Sequence, residues 1–153
     1  MQTDTMKLRE LTVRYTVKKD DEGRSILIGR TLSKPCDSAA VLVPILQHEP
    51  AEVFAIVCLS AKHRVLAYHE VSRGTLDSTT VHPRDVFRAA ILANARCLVL
   101  AHVHPSGDPT PSPDDHEVTR RLVAAGVLLG IDVLDHIIVG DGRYVSFKEL
   151  GCL

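Results

Sequence analysis

Residues 97–115 read CLVLAHVHPSGDPTPSPDD: a short apolar run, two histidines one residue apart, a proline-rich connector and a helix start. The apolar run suits a buried strand, and because side chains alternate faces along a strand, His102 and His104 point one way and Val103 the other. Two imidazoles therefore converge at the strand's end. Pro105, Pro109, Pro111 and Pro113 stiffen the connector, so it loses little entropy in fixing side chains above that spot. The side chains it delivers are Ser112 and Asp115. Two neutral imidazoles and one carboxylate form a ligand set of the kind found in catalytic zinc sites, with the fourth position left to water. Each piece also has a purely structural reading. Histidines spaced H-x-H occur on strands without a metal, and Ser112-Pro113-Asp114-Asp115 fits a helix start with Ser at the N-cap, Pro at N1 and an acid at N3, close to a capping box.

Working outward, Glu52–Ser60 is a near-continuous apolar run suited to a central strand covered on both faces, with Glu52 at its mouth. A polar turn returns the chain through Val65–Val71. Pro83 opens a helix to about Asn94 whose buried stripe is Val86, Phe87, Ala90 and Ile91. After the connector, a helix from Asp114 to about Leu129 places Val118, Leu122, Ala125 and Leu129 on one face, and Gly130 ends it. Asp132–Val139 is a further buried strand, and GDG turns it into Arg143–Phe147. Toward the N-terminus, Ser33-Lys34-Pro35 starts a helix to about Gln47 that Pro44 bends or shortens. Leu11–Lys18 and Arg24–Gly29 form a hairpin. Strands and helices alternate while several strand pairs are hairpins, which predicts a mixed α/β (α+β) sandwich: a largely antiparallel, curved sheet flanked by helices.

The 153 residues, 45% of them hydrophobic, predict one domain spanning 1–153, with 1–31 as a hairpin extension. Eighteen Lys and Arg nearly balance 19 Asp and Glu, so the net charge of -1 leaves no footprint for a nucleic-acid backbone. No Trp, three Tyr and three Phe provide few surfaces on which bases could stack. Cys36, Cys58, Cys97 and Cys152 form no C-x-x-C pair and read as reduced packing residues, which with the absence of an apolar leader points to the cytoplasm. No apolar run reaches membrane-spanning length. His48, His63, His69 and His82 lie in or near turns and read as solvated, and Arg73, Arg84 and Arg88 as a charged outer face. Asp135-His136 lies within an apolar strand, where a buried polar pair must be hydrogen-bonded; a role behind the metal site is the secondary reading.

With Glu52 upstream, the order E…H-x-H-x7-S-x-x-D resembles the signature of JAMM (MPN-type) metalloproteases, matched at Glu52, His102, His104, Ser112 and Asp115. HPSGDPTPS, RGTLDSTTVHPRDVFRAAILANA and LLGIDVLDHIIVGDGRYVSFKELG are similar to the RadC family of that superfamily, from about Leu32 to the C-terminus. RadC-like sequences usually read HNHPSG; here Val103 replaces the Asn on the face turned away from the metal. Longer members carry an N-terminal helical segment suggestive of DNA binding, for which this chain has no room. The resemblance implies a cytidine-deaminase-like layout and one Zn2+ per chain held by His102, His104 and Asp115. It also implies Glu52 as general base, Ser112 as oxyanion donor, and hydrolysis of an amide or isopeptide bond in a peptide or protein substrate. The rival readings are a non-catalytic interaction module on the same fold and a DNA-repair accessory protein.

Overall fold

The computed structural model describes residue 16, residues 29–74 and residues 81–153. Both arms of the expected N-terminal hairpin fall almost wholly outside them. In chain order the described elements are α1 (Pro35–Leu46), β1 (Val53–Leu59), β2 (Val65–Arg73), α2 (Pro83–Leu92), β3 (Cys97–Val103), α3 (Pro113–Leu129), β4 (Asp132–Gly140), β5 (Arg143–Ser146) and α4 (Phe147–Leu150). The strands form one sheet in the order β2-β1-β3-β4-β5. β1 pairs antiparallel with both β2 and β3, and β4 antiparallel with β5. β3 and β4 run parallel, as they must when the α3 crossover returns the chain to the same end of the sheet.

All seven residues of β1 and all seven of β3 are buried, which explains why neither strand alternates apolar with polar residues. On one face Val53, Ala55, Val57 and Leu59, with Val99, Ala101 and Val103, pack against Val41, Leu42 and Leu46 of α1. On the other, Phe54, Ile56, Cys58, Leu98 and Leu100 pack against Val86, Phe87 and Ala90 of α2 and Val118 and Leu122 of α3. The sandwich is therefore helix, sheet, helix. His102 lies on the α2/α3 side of β3, and Val103 faces α1. Pro44 sits inside α1, which runs only two residues past it.

Two helix faces are rotated from the expected ones. Ile91 is 55% exposed, so the buried stripe of α2 ends at Ala90. On α3 the buried positions are Asp115, Val118, Thr119, Leu122 and Gly126, whereas Leu129 is 49% exposed. The stripe passes through Gly126 because the chain doubles back there: Ile131 N–H donates to Gly126 O, and a Cβ on Gly126 would lie 2.4 Å from Ile131 O. Gly130, in the left-handed conformation at φ 71°, makes that reversal without steric penalty. Phe147, expected to end the last strand, instead opens α4, capped by Ser146 Oγ accepting from Glu149 N–H.

The close approach at Gly126 yields a stability test. Gly126→Ala must displace backbone rather than a flexible side-chain end, and overpacking of this kind costs about 1–3 kcal/mol. The melting temperature should fall by roughly 2 to 12 °C, measured by circular dichroism. A variant that melts with the wild type would show that helix and strand separate here without strain.

Candidate metal centre

Antiparallel pairing assembles the site from distant parts of the chain. Phe54 of β1 is opposite His102 of β3, so the residues two further along each strand, Glu52 and His104, meet at the same end of the sheet. Glu52 is held there through its backbone carbonyl, which accepts from Gly74 N–H at 2.9 Å. Donor atoms of Glu52, His102 and His104 all lie within 4.8 Å of one another. The two imidazoles meet edge to face, with ring centroids 4.5 Å apart.

Asp115 arrives from the other side on the first turn of α3. Ser112 is the N-cap, its Oγ accepting from Asp115 N–H at 3.2 Å. In return Asp115 Oδ2 accepts from Ser112 N–H at 2.7 Å, completing the capping box. This local clamp turns the carboxylate toward the histidines, with Oδ1 3.4 Å from His102 Nδ1 and Oδ2 3.3 Å from His104 Nε2. All five expected residues are thus found at one end of the sheet. His48, His69 and His82 are exposed; His82 has a local duty, its Nδ1 accepting from Arg84 N–H to cap α2. Arg73 pairs with Glu49 at 2.6 Å and Glu70 at 2.8 Å, and Arg84 and Arg88 lie near Asp85.

The donor set fits a divalent cation. His104 Nδ1 lies 2.7 Å from the Asp108 carbonyl, which can only accept, so Nδ1 carries the proton and Nε2 presents a lone pair. His102 Nδ1 is buried with no hydrogen-bond partner among the described residues. Burial pushes the His102 imidazole down to about 4, against the pull of the Asp115 charge, so it is neutral at pH 7. The His104 lone pair thus faces a carboxylate, an arrangement of acceptors that a proton or a cation between them stabilises. A proton added at Nε2 would be donated to Asp115, which pushes His104 above the ordinary imidazole value. Burial works to raise Asp115, but His104, His102 and Ser112 outweigh it and hold the carboxyl below the usual range.

Sequence reasoning passed over two contributors. Gly140 ends β4 directly beneath the connector: a Cβ there would lie 2.7 Å from Gly107 O and 2.8 Å from Pro109 N. His104 N–H donates to Val139 O, and Arg143 donates to Gly107 O, so the β4–β5 turn is the seat on which the motif loop rests. The other is Thr119, which stands behind Asp115 and meets His136, the residue whose secondary reading from the sequence was a role behind this site. A cleft of about 510 Å³ opens beside His104, lined among others by Gln47, Glu49, Ser106, Asp108, Asp141 and Arg143.

Residues 32–152 match the family model of the RadC-like JAB domain. The chain belongs to that family. Its JAB domain is 51% identical over 121 residues to a UPF0758 protein of Symbiobacterium thermophilum, a match covering 77% of this chain and 52% of that protein. It is 42% identical over 149 residues to a UPF0758 protein of Desulfitobacterium hafniense, covering 97% and 66% respectively. A third relative, from Methanosarcina acetivorans, is 46% identical over 122 residues, covering 80% and 53%. The chain therefore spans about half to two thirds of the length of these relatives. Among the described residues, no helix is long and apolar enough to cross a membrane.

Acidification should expose the buried imidazole. Because the His102 value is depressed on folding, the unfolded chain binds a proton there that the native JAB domain does not between pH 6.5 and about 4, and stability falls with pH over that window. His104, shifted the opposite way, opposes this trend. The His102 contribution lost by pH 4.5 is roughly 2 to 3 kcal/mol. Urea unfolding of metal-free protein at pH 7 and 4.5 should show the wild type losing roughly 2 kcal/mol more than His102→Leu. Equal losses would contradict the assignment of a neutral, buried His102.

Proposed function

We propose that this JAB domain is a zinc-dependent hydrolase that cleaves an amide bond, as a metallopeptidase or isopeptidase. The observation that carries the reading is the convergence of Glu52, His102 and His104 within 4.8 Å, with the Asp115 carboxylate against both histidines. His102, His104 and Asp115 would hold the metal. Zinc supplies a Lewis acid that polarises the scissile carbonyl and brings the pKa of water to about 7.

The remaining work falls to the chain's own groups. Glu52 stands just before β1, its carboxylate beside His102 and His104, and is only part-buried, which leaves it open to solvent. It accepts a proton from the attacking water and passes it to the leaving nitrogen, which must depart as an amine. Ser112 Oγ accepts from Asp115 N–H and so keeps its own proton, which it donates to the oxyanion of the tetrahedral intermediate. The cap and catalytic roles of Ser112 are therefore compatible in one hydroxyl. His104 is held in a single tautomer by Asp108 O, and the polar cleft beside it gives an extended peptide room to lie across the site. The near-zero net charge favours this reading over a nucleic-acid binder.

Glu52→Gln separates the base from the ligands. The variant should bind zinc with unchanged stoichiometry and melt with the wild type, yet lose at least about 100-fold of the turnover found in a screen of peptide and isopeptide substrates. Loss of zinc from Glu52→Gln would make Glu52 a ligand, and unchanged turnover would remove it from the reaction.

A further inference from the structure

Thr119 lies one turn beyond Asp115 on the buried face of α3, only 1% exposed, and its hydroxyl makes two close contacts. Oγ1 is 2.6 Å from the Asp115 carbonyl oxygen and 2.6 Å from His136 Nδ1. The carbonyl has no proton to give, so the single hydroxyl proton points to it, and the hydroxyl oxygen must then accept from His136 Nδ1–H. The direction of both bonds is fixed by this count. His136 is fully buried, so it carries one proton, on Nδ1; its Nε2 has no partner among the described residues. The ring is wedged in place, stacked on Phe147 at 4.8 Å and edge-on to Phe54 at 5.6 Å, with the His102 ring 5.7 Å away.

A buried imidazole with an unpaired nitrogen is an expensive way to fill a core position that a phenylalanine would fill without the polar penalty. We propose that His136 is a positioning residue for the metal centre: its Nδ1–H fixes the Thr119 hydroxyl, which grips the Asp115 carbonyl, setting the height at which α3 presents the Asp115 carboxylate. The inference rests on the metal reading above. It also accounts for a strand that is otherwise apolar from Ile137 to Val139 but polar at the point beneath Asp115. Asp135, by contrast, is occupied structurally, accepting from Ser146 Oγ, Lys148 N–H and His136 N–H.

The test uses the full chain loaded with cobalt, whose visible absorption reports ligand geometry. His136→Phe keeps the ring and Thr119→Val keeps the shape, while each breaks the relay. Both should retain the wild-type melting temperature within a few degrees, yet weaken metal affinity by about 10- to 100-fold in chelator competition and alter the cobalt bands. His136→Asn, which offers an N–H near the Nδ1 position, and Thr119→Ser should restore most of the affinity. Nitrogen-15 spectra of the metal-free wild type should show the Nδ1–H tautomer of His136. A wild-type chain that takes up neither cobalt nor zinc overturns the metal reading together with this one. Normal cobalt binding by the wild type, with identical affinity and absorption in His136→Phe and Thr119→Val, or an Nε2–H tautomer, overturns this one alone.

Discussion

The Asp115 carboxylate lies against two imidazoles, and that contact exists because a helix begins where it does. Ser112 caps α3, the cap and the carboxylate bond each other reciprocally, and the carboxylate is thereby aimed at His102 and His104 rather than at solvent. A capping box is worth about 1 kcal/mol as a helix device. Here the same two bonds also orient the carboxylate proposed as a metal ligand. The structural and chemical readings of Ser112-Pro113-Asp114-Asp115 are thus not competitors: the clamp that starts the helix is the clamp that aims the carboxylate at the two histidines.

The rest of the fold brings the other partners to that point and holds them. Antiparallel pairing of β1 with β3 places Glu52 opposite His104 across fifty residues of sequence, while full burial of both strands fixes their register, since a slip by one residue would turn each face inside out. The connector between β3 and α3 rests on Gly140, and its Asp108 carbonyl selects the His104 tautomer. Site and core share the same walls. Phe54 is both a core residue of the α2/α3 layer and a neighbour of the His102 ring at 6.1 Å.

Much of this was legible in the amino-acid order. The H-x-H spacing on an apolar strand and the S-x-x-D at a helix start translate into geometry through the two-residue strand period and the first helical turn, both local rules. What the sequence left open is what depends on contacts across the chain. Ile91 and Leu129 fit a helical stripe by spacing, yet they are exposed, because the faces that pack inward run through Ala90 on α2 and Gly126 on α3 instead. Gly126 and Gly140 look like ordinary glycines until a second backbone segment is placed within 3 Å of them. Thr119 reads as a helical residue of indifferent propensity, and only its contact with His136, seventeen residues on, reveals the path to Asp115. Phe147 continues a strand pattern, but Ser146 caps a turn of helix there instead.

Every catalytic role proposed for this site depends on a bound metal. The direct measurement is elemental analysis of the full chain purified without a metal-affinity tag, followed by stripping and titration with zinc. One zinc per chain is expected, recovered on reloading and absent from His104→Ala. Protein that carries no stoichiometric divalent metal, and takes none up on titration, would contradict it.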